Sequence, residues 1–182
     1  MARLVPTVPT ESPGTFWTAA LFNATVKAAA DFVIGSSGST GPPRFRGYQN
    51  SAQSISNGTF TSITIDTEVI DSDGGHSTST NTSRYTCQVA GTYAVGGSVC
   101  FPANSTGSRG VRLAVNGSSV QGVASLIPAA TGNSCGTQVA TILSLSVGDY
   151  VEIQGYQTSG GALNTATASD LASQLWALWV SF

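Results

Sequence analysis

Charged side chains are scarce in this sequence, since only 9% of its 182 residues are charged and the formal net charge is −2. Proteins that bind nucleic acids by neutralising phosphates need a basic stripe, and polybasic membrane-surface proteins need clusters of lysine and arginine. Lys27 is the single lysine, so we expect neither a nucleic-acid nor a membrane partner. Because 41% of the residues are hydrophobic, we expect a folded domain rather than a disordered chain.

Long apolar runs are also missing. No stretch approaches the roughly 18 apolar residues that a membrane helix requires. The first residues lead directly to Pro6, Pro9 and Pro13, without the apolar segment of a secretion signal. We therefore expect the protein to be made in a cytoplasm, and its polar, uncharged composition suits the surface of a particle that later leaves the cell.

Residues that commonly carry chemistry are few. Cys87, Cys100 and Cys135 lack a metal-binding spacing, and we expect buried free thiols, although Cys87 and Cys100 could face each other. The single histidine, His76, is expected to be solvated in a loop, and the segment that begins at Asp71 is interpreted as a turn. No Gly-x-Ser-x-Gly turn offers a nucleophile. We predict no catalytic residues, no metal ligands and no cofactor, and hence a protein that is not an enzyme.

The chain divides into three zones. Residues 1–16 form a Pro/Thr-rich segment that we expect to be an extended anchoring arm. Residues 17–43 are predicted to hold one short α-helix over 19–33, with Thr18 as its N-cap, followed by a Gly/Pro linker. Residues 44–182 are predicted to be a β-rich head.

The predicted helix carries large apolar side chains at helical spacing. A helix this short is marginal alone and needs a surface to pack on. That surface could be its own domain, other copies of the chain or a scaffold. We predict that four of its apolar residues anchor the protein to a particle: Trp17, Leu21, Phe22 and Phe32.

The head consists of short alternating runs separated by Gly, Asn and Asp turns. Many short strands at this spacing predict an all-β fold, a jelly-roll β-sandwich preceded by the arm and the helix. The predicted strands are 44–49, 58–65, 85–89, 91–101, 109–115, 119–124, 138–145, 150–157 and 174–182.

The last predicted strand is apolar on both faces, which requires a cover on both faces. One face can fill the core, and either a subunit interface or a loop of the same subunit can cover the other. We favour the interface, and the predicted interface residues are Leu175, Trp176, Trp179 and Phe182.

Several segments of the head follow one another in a familiar order. They are Phe60, Ile63-Thr-Ile-Asp66, Ser83-Arg-Tyr85-Thr-Cys87-Gln-Val-Ala-Gly91-Thr-Tyr93, Arg112-Leu-Ala-Val-Asn116-Gly117 and Leu145-Ser-Val-Gly148-Asp149-Tyr150-Val151. This series resembles the globular-head jelly-roll family shared by a complement component and the tumour necrosis factors. The resemblance implies a ten-stranded jelly roll that assembles as a homotrimer, with the C-terminal strand near the threefold axis. Some members bind calcium at the trimer apex, so the presence of an ion there stays open.

The N-terminal part is similar to a second group of proteins. Trp17-Thr-Ala-Ala-Leu-Phe-Asn23-Ala-Thr-Val26, leading to Asp31-Phe32, resembles the opening of tail and surface proteins of phages that infect actinobacteria. This resemblance implies a virion structural protein whose arm binds other virion proteins. It leaves open a minor tail protein or short tail fibre that contacts the host, and a capsid decoration protein. Exposed aromatic residues could stack on a host cell-surface glycan, and Tyr48 and Tyr156 are the candidates.

Overall fold

The computed structural model of the chain describes residues 6, 8, 10, 12–14, 16–34, 41–168 and 170–182. Most of the predicted arm and residues 35–40 of the predicted linker lie outside these residues. Among the described residues, no helix has the length and apolarity that crossing a bilayer requires.

The head is a sandwich of antiparallel sheets, as the sequence predicted. Sheet one has the strand order β4-β1-β12-β6-β9, and sheet two has the order β3-β10-β7-β8, with β5 also paired to β10. The strands β2 and β11 form a small separate pair. The bounds are β1 Arg44–Tyr48, β2 Ser54–Ile55, β3 Thr61–Ser62, β4 Thr67–Asp71, β5 Tyr85–Thr86, β6 Gly91–Phe101, β7 Ser108–Val115, β8 Ser118–Pro128, β9 Cys135–Leu145, β10 Tyr150–Gln157, β11 Leu163–Asn164 and β12 Gln174–Ser181.

The core lies between the two sheets and is built by side chains that alternate along the strands. Sheet one contributes Phe45, Tyr93 and Leu175, and sheet two contributes Leu113 and Ile153; all are essentially inaccessible to solvent. The period-two pattern of the sequence therefore translates directly into one buried and one outer face for each sheet.

The segment predicted as a strand over 58–65 forms ladder pairs only at Thr61–Ser62. The amide of Ile63 still donates to the carbonyl of Ile153 on β10. Two residues later the chain has left β10, since the amide of Ile65 donates to the carbonyl of Thr82 at 2.8 Å. The structure also adds β4, which the sequence did not predict and which is mostly exposed at the edge of sheet one.

The predicted helix forms, but with a π-helical centre. Thr18 is the N-cap, and its hydroxyl accepts the amide of Leu21 at 3.1 Å. The helix α1 Ala19–Phe22 continues as a π-helical segment over Asn23–Lys27 and then as α2 Ala28–Ile34. The wider π turns change which side chains share a face, so that Thr25 and Phe32 are buried whereas Ala24 is exposed.

The helix packs on the head near the end of β12. The ring of Phe32 meets the Trp179 ring edge-on, with centroids 5.5 Å apart. Trp179 in turn donates its indole N–H to the carbonyl of Ala90 at 3.3 Å and contacts Phe182. We call this side of the sandwich, where β12 ends and β6 begins, the helix end, and the opposite side the distal end.

A buried arginine organises the distal end. Arg109 is fully buried and donates hydrogen bonds to the carbonyls of Asn104, Thr106 and Ser108. These bonds hold the loop between β6 and β7 against the sandwich. The amide of Thr158 also bonds to the carbonyl of Ser108, so the loops at this end form one connected, largely uncharged surface.

Candidate assembly interface

The outer face of sheet one is the main apolar surface of the head. Strand β12 lies at its centre, between β1 and β6. Leu175 and Ala177 point into the core, whereas Trp176 and Leu178 lie on the outer face. Leu178 is 45% exposed, so this strand presents apolar side chains on both faces, as the sequence predicted.

The strand register defines the rows of this outer face. One row runs through Arg44, Leu178, Ala94 and Ile142 on four neighbouring strands, and Ile142 is 68% exposed. Towards the helix end Val180 is also exposed, and Phe182, which is 69% exposed, packs on Trp179. Contiguous exposed apolar side chains of this kind mark interaction surfaces in soluble proteins.

Small residues on β6 keep this face flat. Trp176 is paired with Gly96, and a Cβ at Gly96 would lie 2.4 Å from the Trp176 ring. The indole therefore lies directly over the glycine and is half-buried within one chain. Ala94 and Ser98, on the same face of β6, leave the surface shallow enough for close approach of another layer.

The neighbouring edge of the sandwich carries no charge. Between Arg112 and Asp149 the sequence contains no charged residue, and this segment includes all of β8 and β9. Strand β9 is an edge strand of 11 residues. Exposed edge strands usually carry charges or prolines that prevent pairing with other chains, so an uncharged edge of this length suits an interface.

The four predicted interface residues fall in three different environments. Leu175 is fully buried in the core of its own subunit, so the prediction that it lies at an interface was wrong. Trp179 packs on Phe32 of its own helix. Phe182 is exposed beside Trp179, and Trp176 is half-buried on the outer face. Leu178, Val180 and Ile142, which are not among the four predicted residues, are also exposed.

The four predicted anchoring residues differ in their exposure to solvent. Phe32 is buried against Trp179, so it fixes the helix to the head and is not available to a particle. Trp17 and Phe22 are 54% and 47% exposed, and Leu21 is half-buried. The helix therefore uses one side for its own domain and presents Trp17 and Phe22 to solvent.

The two candidate glycan contacts are half-buried and lie on different sheets. Tyr156 on β10 stacks on Phe60, with ring centroids 4.7 Å apart. Tyr48 ends β1 and is paired with Gln174. The structure therefore does not bring Tyr48 and Tyr156 into one site.

His76 is not the solvated loop residue that the sequence indicated. Its side chain is buried and stacks on Phe45, with centroids 4.9 Å apart. One ring nitrogen lies 2.8 Å from the Glu68 carboxylate and the other lies 3.1 Å from the carbonyl of Thr82. The prediction failed because the nearby Asp71 carboxylate accepts the amides of residues 74–76 and turns the loop inwards.

The three cysteines are free and buried. Burial raises the pKa of the Cys87 thiol, which donates to the carbonyl of Val89. Burial also raises the pKa of Cys100, which lies on the opposite face of β6 from its core residues. Among the residues that the structure describes, no group of three His, Cys, Asp or Glu side chains could hold a metal ion.

Solved structures share this fold at low sequence identity. The globular domain of the zebrafish complement 1qA protein superposes with a TM-score of 0.57 at 16% identity, covering 76% of this chain and 97% of that domain. Crystal structures of murine APRIL at pH 5.0 and pH 8.5 give TM-scores of 0.59 and 0.54 at 10% and 14% identity, covering 76% and 75% of this chain and 99% and 98% of theirs. The fold is a C1q/TNF-like jelly roll. The sequence matches no protein-family model and no curated protein.

Proposed function

We propose that this protein is a bacteriophage virion structural protein, a minor tail protein or short tail fibre. Its jelly-roll head is a homotrimer, its N-terminal arm and helix attach it to other virion proteins, and its head contacts the host surface. The observation that carries the assembly part of the proposal is the exposed apolar outer face of sheet one.

The trimer accounts for that face. Leu178 and Ile142 are large apolar side chains exposed on the outer face of sheet one, which ends in the uncharged edge strand β9. Covering them with neighbouring subunits removes apolar surface from water, which contributes roughly 25 cal/mol for each Å² buried. The resemblance of the head to a family of trimers, with the C-terminal strand near the axis, supports the same arrangement.

Two matched leucines test this arrangement. Leu178 on sheet one is 45% exposed, and Leu126 on sheet two is 56% exposed. We expect Leu178→Glu to dissociate the trimer, because assembly would then have to remove both the new carboxylate and the neighbouring Arg44 from water. Leu126→Glu should leave the mass in light scattering unchanged. Equal behaviour of the two variants would contradict an interface on sheet one.

The exposed apolar residues of the N-terminal segment support its attachment role. Phe16 is 90% exposed, and Trp17 and Phe22 are also exposed, although all three precede or belong to a helix that already packs on the head. Such side chains favour a further partner. We expect that removal of residues 1–34 leaves a folded trimer that no longer joins particles.

The proposed role is binding and assembly rather than catalysis. His76, the single histidine, has both ring nitrogens within hydrogen-bond distance of Glu68 and Thr82. Neither nitrogen is therefore available to activate a nucleophile.

A capsid decoration protein is the second candidate. The described residues form one helix and one head, with no coiled-coil shaft to extend the head away from a tail. Quantitative mass spectrometry of purified virions distinguishes the two placements. A few trimers per particle support the tail, a copy number close to that of the capsid protein supports decoration, and absence from virions would refute both.

A further inference from the structure

Two arginines on the outer face of sheet two lie over aromatic rings. The guanidinium carbon of Arg84 is 3.9 Å from the centre of the Tyr150 ring, and that of Arg112 is 3.9 Å from the centre of the Phe60 ring. Stacking of this kind holds a guanidinium flat against its ring and leaves the edges of the group free to donate.

The acidic residue beside Arg84 is Glu152. Glu152 is almost fully buried and accepts from the hydroxyl of Ser83 at 3.1 Å and the amide of Gln154 at 3.4 Å. The Nε atom of Arg84 is 4.0 Å from this carboxylate, which is too far for a hydrogen bond. The group of Arg84, Arg112 and Glu152 therefore has a net positive charge, on a chain whose net charge is −2.

The donor groups of these arginines are largely unused within the chain. Arg112 donates from Nε to Gln154 at 2.7 Å, which fixes the orientation of its guanidinium. Within the described part of the chain, the terminal nitrogens of Arg84 and Arg112 donate no hydrogen bond. Each arginine thus presents an oriented pair of N–H donors, the geometry that matches a carboxylate.

A polar cleft lies beside Arg84. It has a volume of about 250 Å³, and the residues that line it include Ser77, Thr80, Asn81 and Gln88. Hydroxyl and amide groups both donate and accept hydrogen bonds, as sugar hydroxyls do. The cleft therefore combines neutral polar groups with one cationic group at its edge.

We propose that this surface binds a carboxylate-bearing saccharide. The sugar lies in the cleft, its carboxylate is held by the fork of Arg84, and its hydroxyls bond to Ser77, Thr80 and Gln88. Arg112, with Phe60 and Tyr156 beside it, provides a second contact on the same face, about 13 Å further along β10 at roughly 3.3 Å per residue. A chain of acidic sugars is long enough to occupy both the cleft at Arg84 and the second contact at Arg112. This inference rests on the proposed contact with the host surface and names the class of ligand that is recognised.

The test uses the full-length protein and oligosaccharides of equal length. Isothermal titration compares a galacturonic acid heptamer with neutral maltoheptaose and with a phosphate-bearing oligomannose. We expect binding of the galacturonate, weaker binding of the phosphate-bearing sugar and none of maltoheptaose. Arg84→Gln should lower the affinity for galacturonate about tenfold or more, because a charge-assisted hydrogen bond is lost.

The control variant is Lys27→Gln, which removes one positive charge from the exposed side of the helix and should change the affinity less than twofold. Arg84→Lys keeps the charge but loses the fork, and we expect it to bind more weakly than the wild type. Thermal unfolding of each variant confirms that the head is folded. Equal effects of Arg84→Gln and Lys27→Gln, equal binding of the acidic and neutral sugars, preference for the phosphate-bearing sugar, or no binding at all would overturn the proposal. If the saccharide-binding test fails but the protein is found in purified virions, the proposed virion role still stands.

Discussion

Replacing Gly96 by alanine gives a sharp test of how the outer face of sheet one is built. An added Cβ would lie 2.4 and 2.7 Å from two atoms of the Trp176 ring and 2.8 Å from the carbonyl oxygen of Val139. Contacts this short require movement. The indole can rotate away, but the carbonyl belongs to the ladder between β6 and β9 and cannot move freely.

The expected cost follows from two opposing effects. Overpacking a closely packed site typically costs about 1–3 kcal/mol. Replacing glycine by alanine also restricts the unfolded chain, which returns about 0.4–1 kcal/mol. We therefore expect Gly96→Ala to lower the free energy of unfolding by about 1–2 kcal/mol. It should also weaken the trimer, because Trp176 is displaced from the flat face.

Gly136 provides the matched control for this prediction. It lies on β9 on the same face of sheet one, and a Cβ there would be an ordinary 3.6 Å from the Cys100 sulfur. Urea unfolding and light scattering of both variants provide the assay. The reasoning is refuted if Gly136→Ala is as destabilising as Gly96→Ala, or if Gly96→Ala leaves both stability and mass unchanged.

Three further predictions concern other parts of the fold. Phe32→Ala should release the helix from Trp179, so that limited proteolysis cuts the helix quickly while the head stays folded; equal protection of the variant would contradict the packing. The three buried thiols should react with Ellman's reagent only after denaturation, because burial keeps the cysteines inaccessible and raises the pKa of Cys87 and Cys100; rapid reaction of the native protein would contradict this. Burial raises the pKa of Asp66, but hydrogen bonds from the backbone amides of Asn50 and Ser51 lower it by more, so the net pKa is below its usual value. Asp66→Asn should therefore unfold at lower urea than the wild type at pH 6, and the difference should shrink below about pH 4; a difference that is independent of pH would refute this.

The alternation of apolar and polar residues along the chain was sufficient to predict the sandwich. Strands β6 and β10 have the bounds that the sequence indicated, because their apolar residues recur at every second position and turn residues flank them. The double apolar face of β12 was likewise visible in the sequence. Which of its two faces meets the core depends on the register with β1 and β6, and for this reason Leu175 was assigned to the wrong environment.

Contacts between distant segments could not be predicted in the same way. His76 is buried by bonds to Glu68 and to the carbonyl of Thr82, which local composition does not reveal. The π-helical turns that bury Thr25 leave no clear signal in an alanine-rich segment. The cluster around Arg84 joins Ser83 and Arg84, which directly precede β5, to Glu152 on β10, more than 60 residues away in the chain.

The mass of the full-length protein in solution tests the central claim, that neighbouring copies cover the outer face of sheet one. Multi-angle light scattering over a hundredfold dilution is the measurement. With a chain of 18.5 kDa, the account predicts a constant mass of about three chains. A mass of one chain at all concentrations would show that Leu178 and Ile142 remain exposed in solution, and would contradict the account.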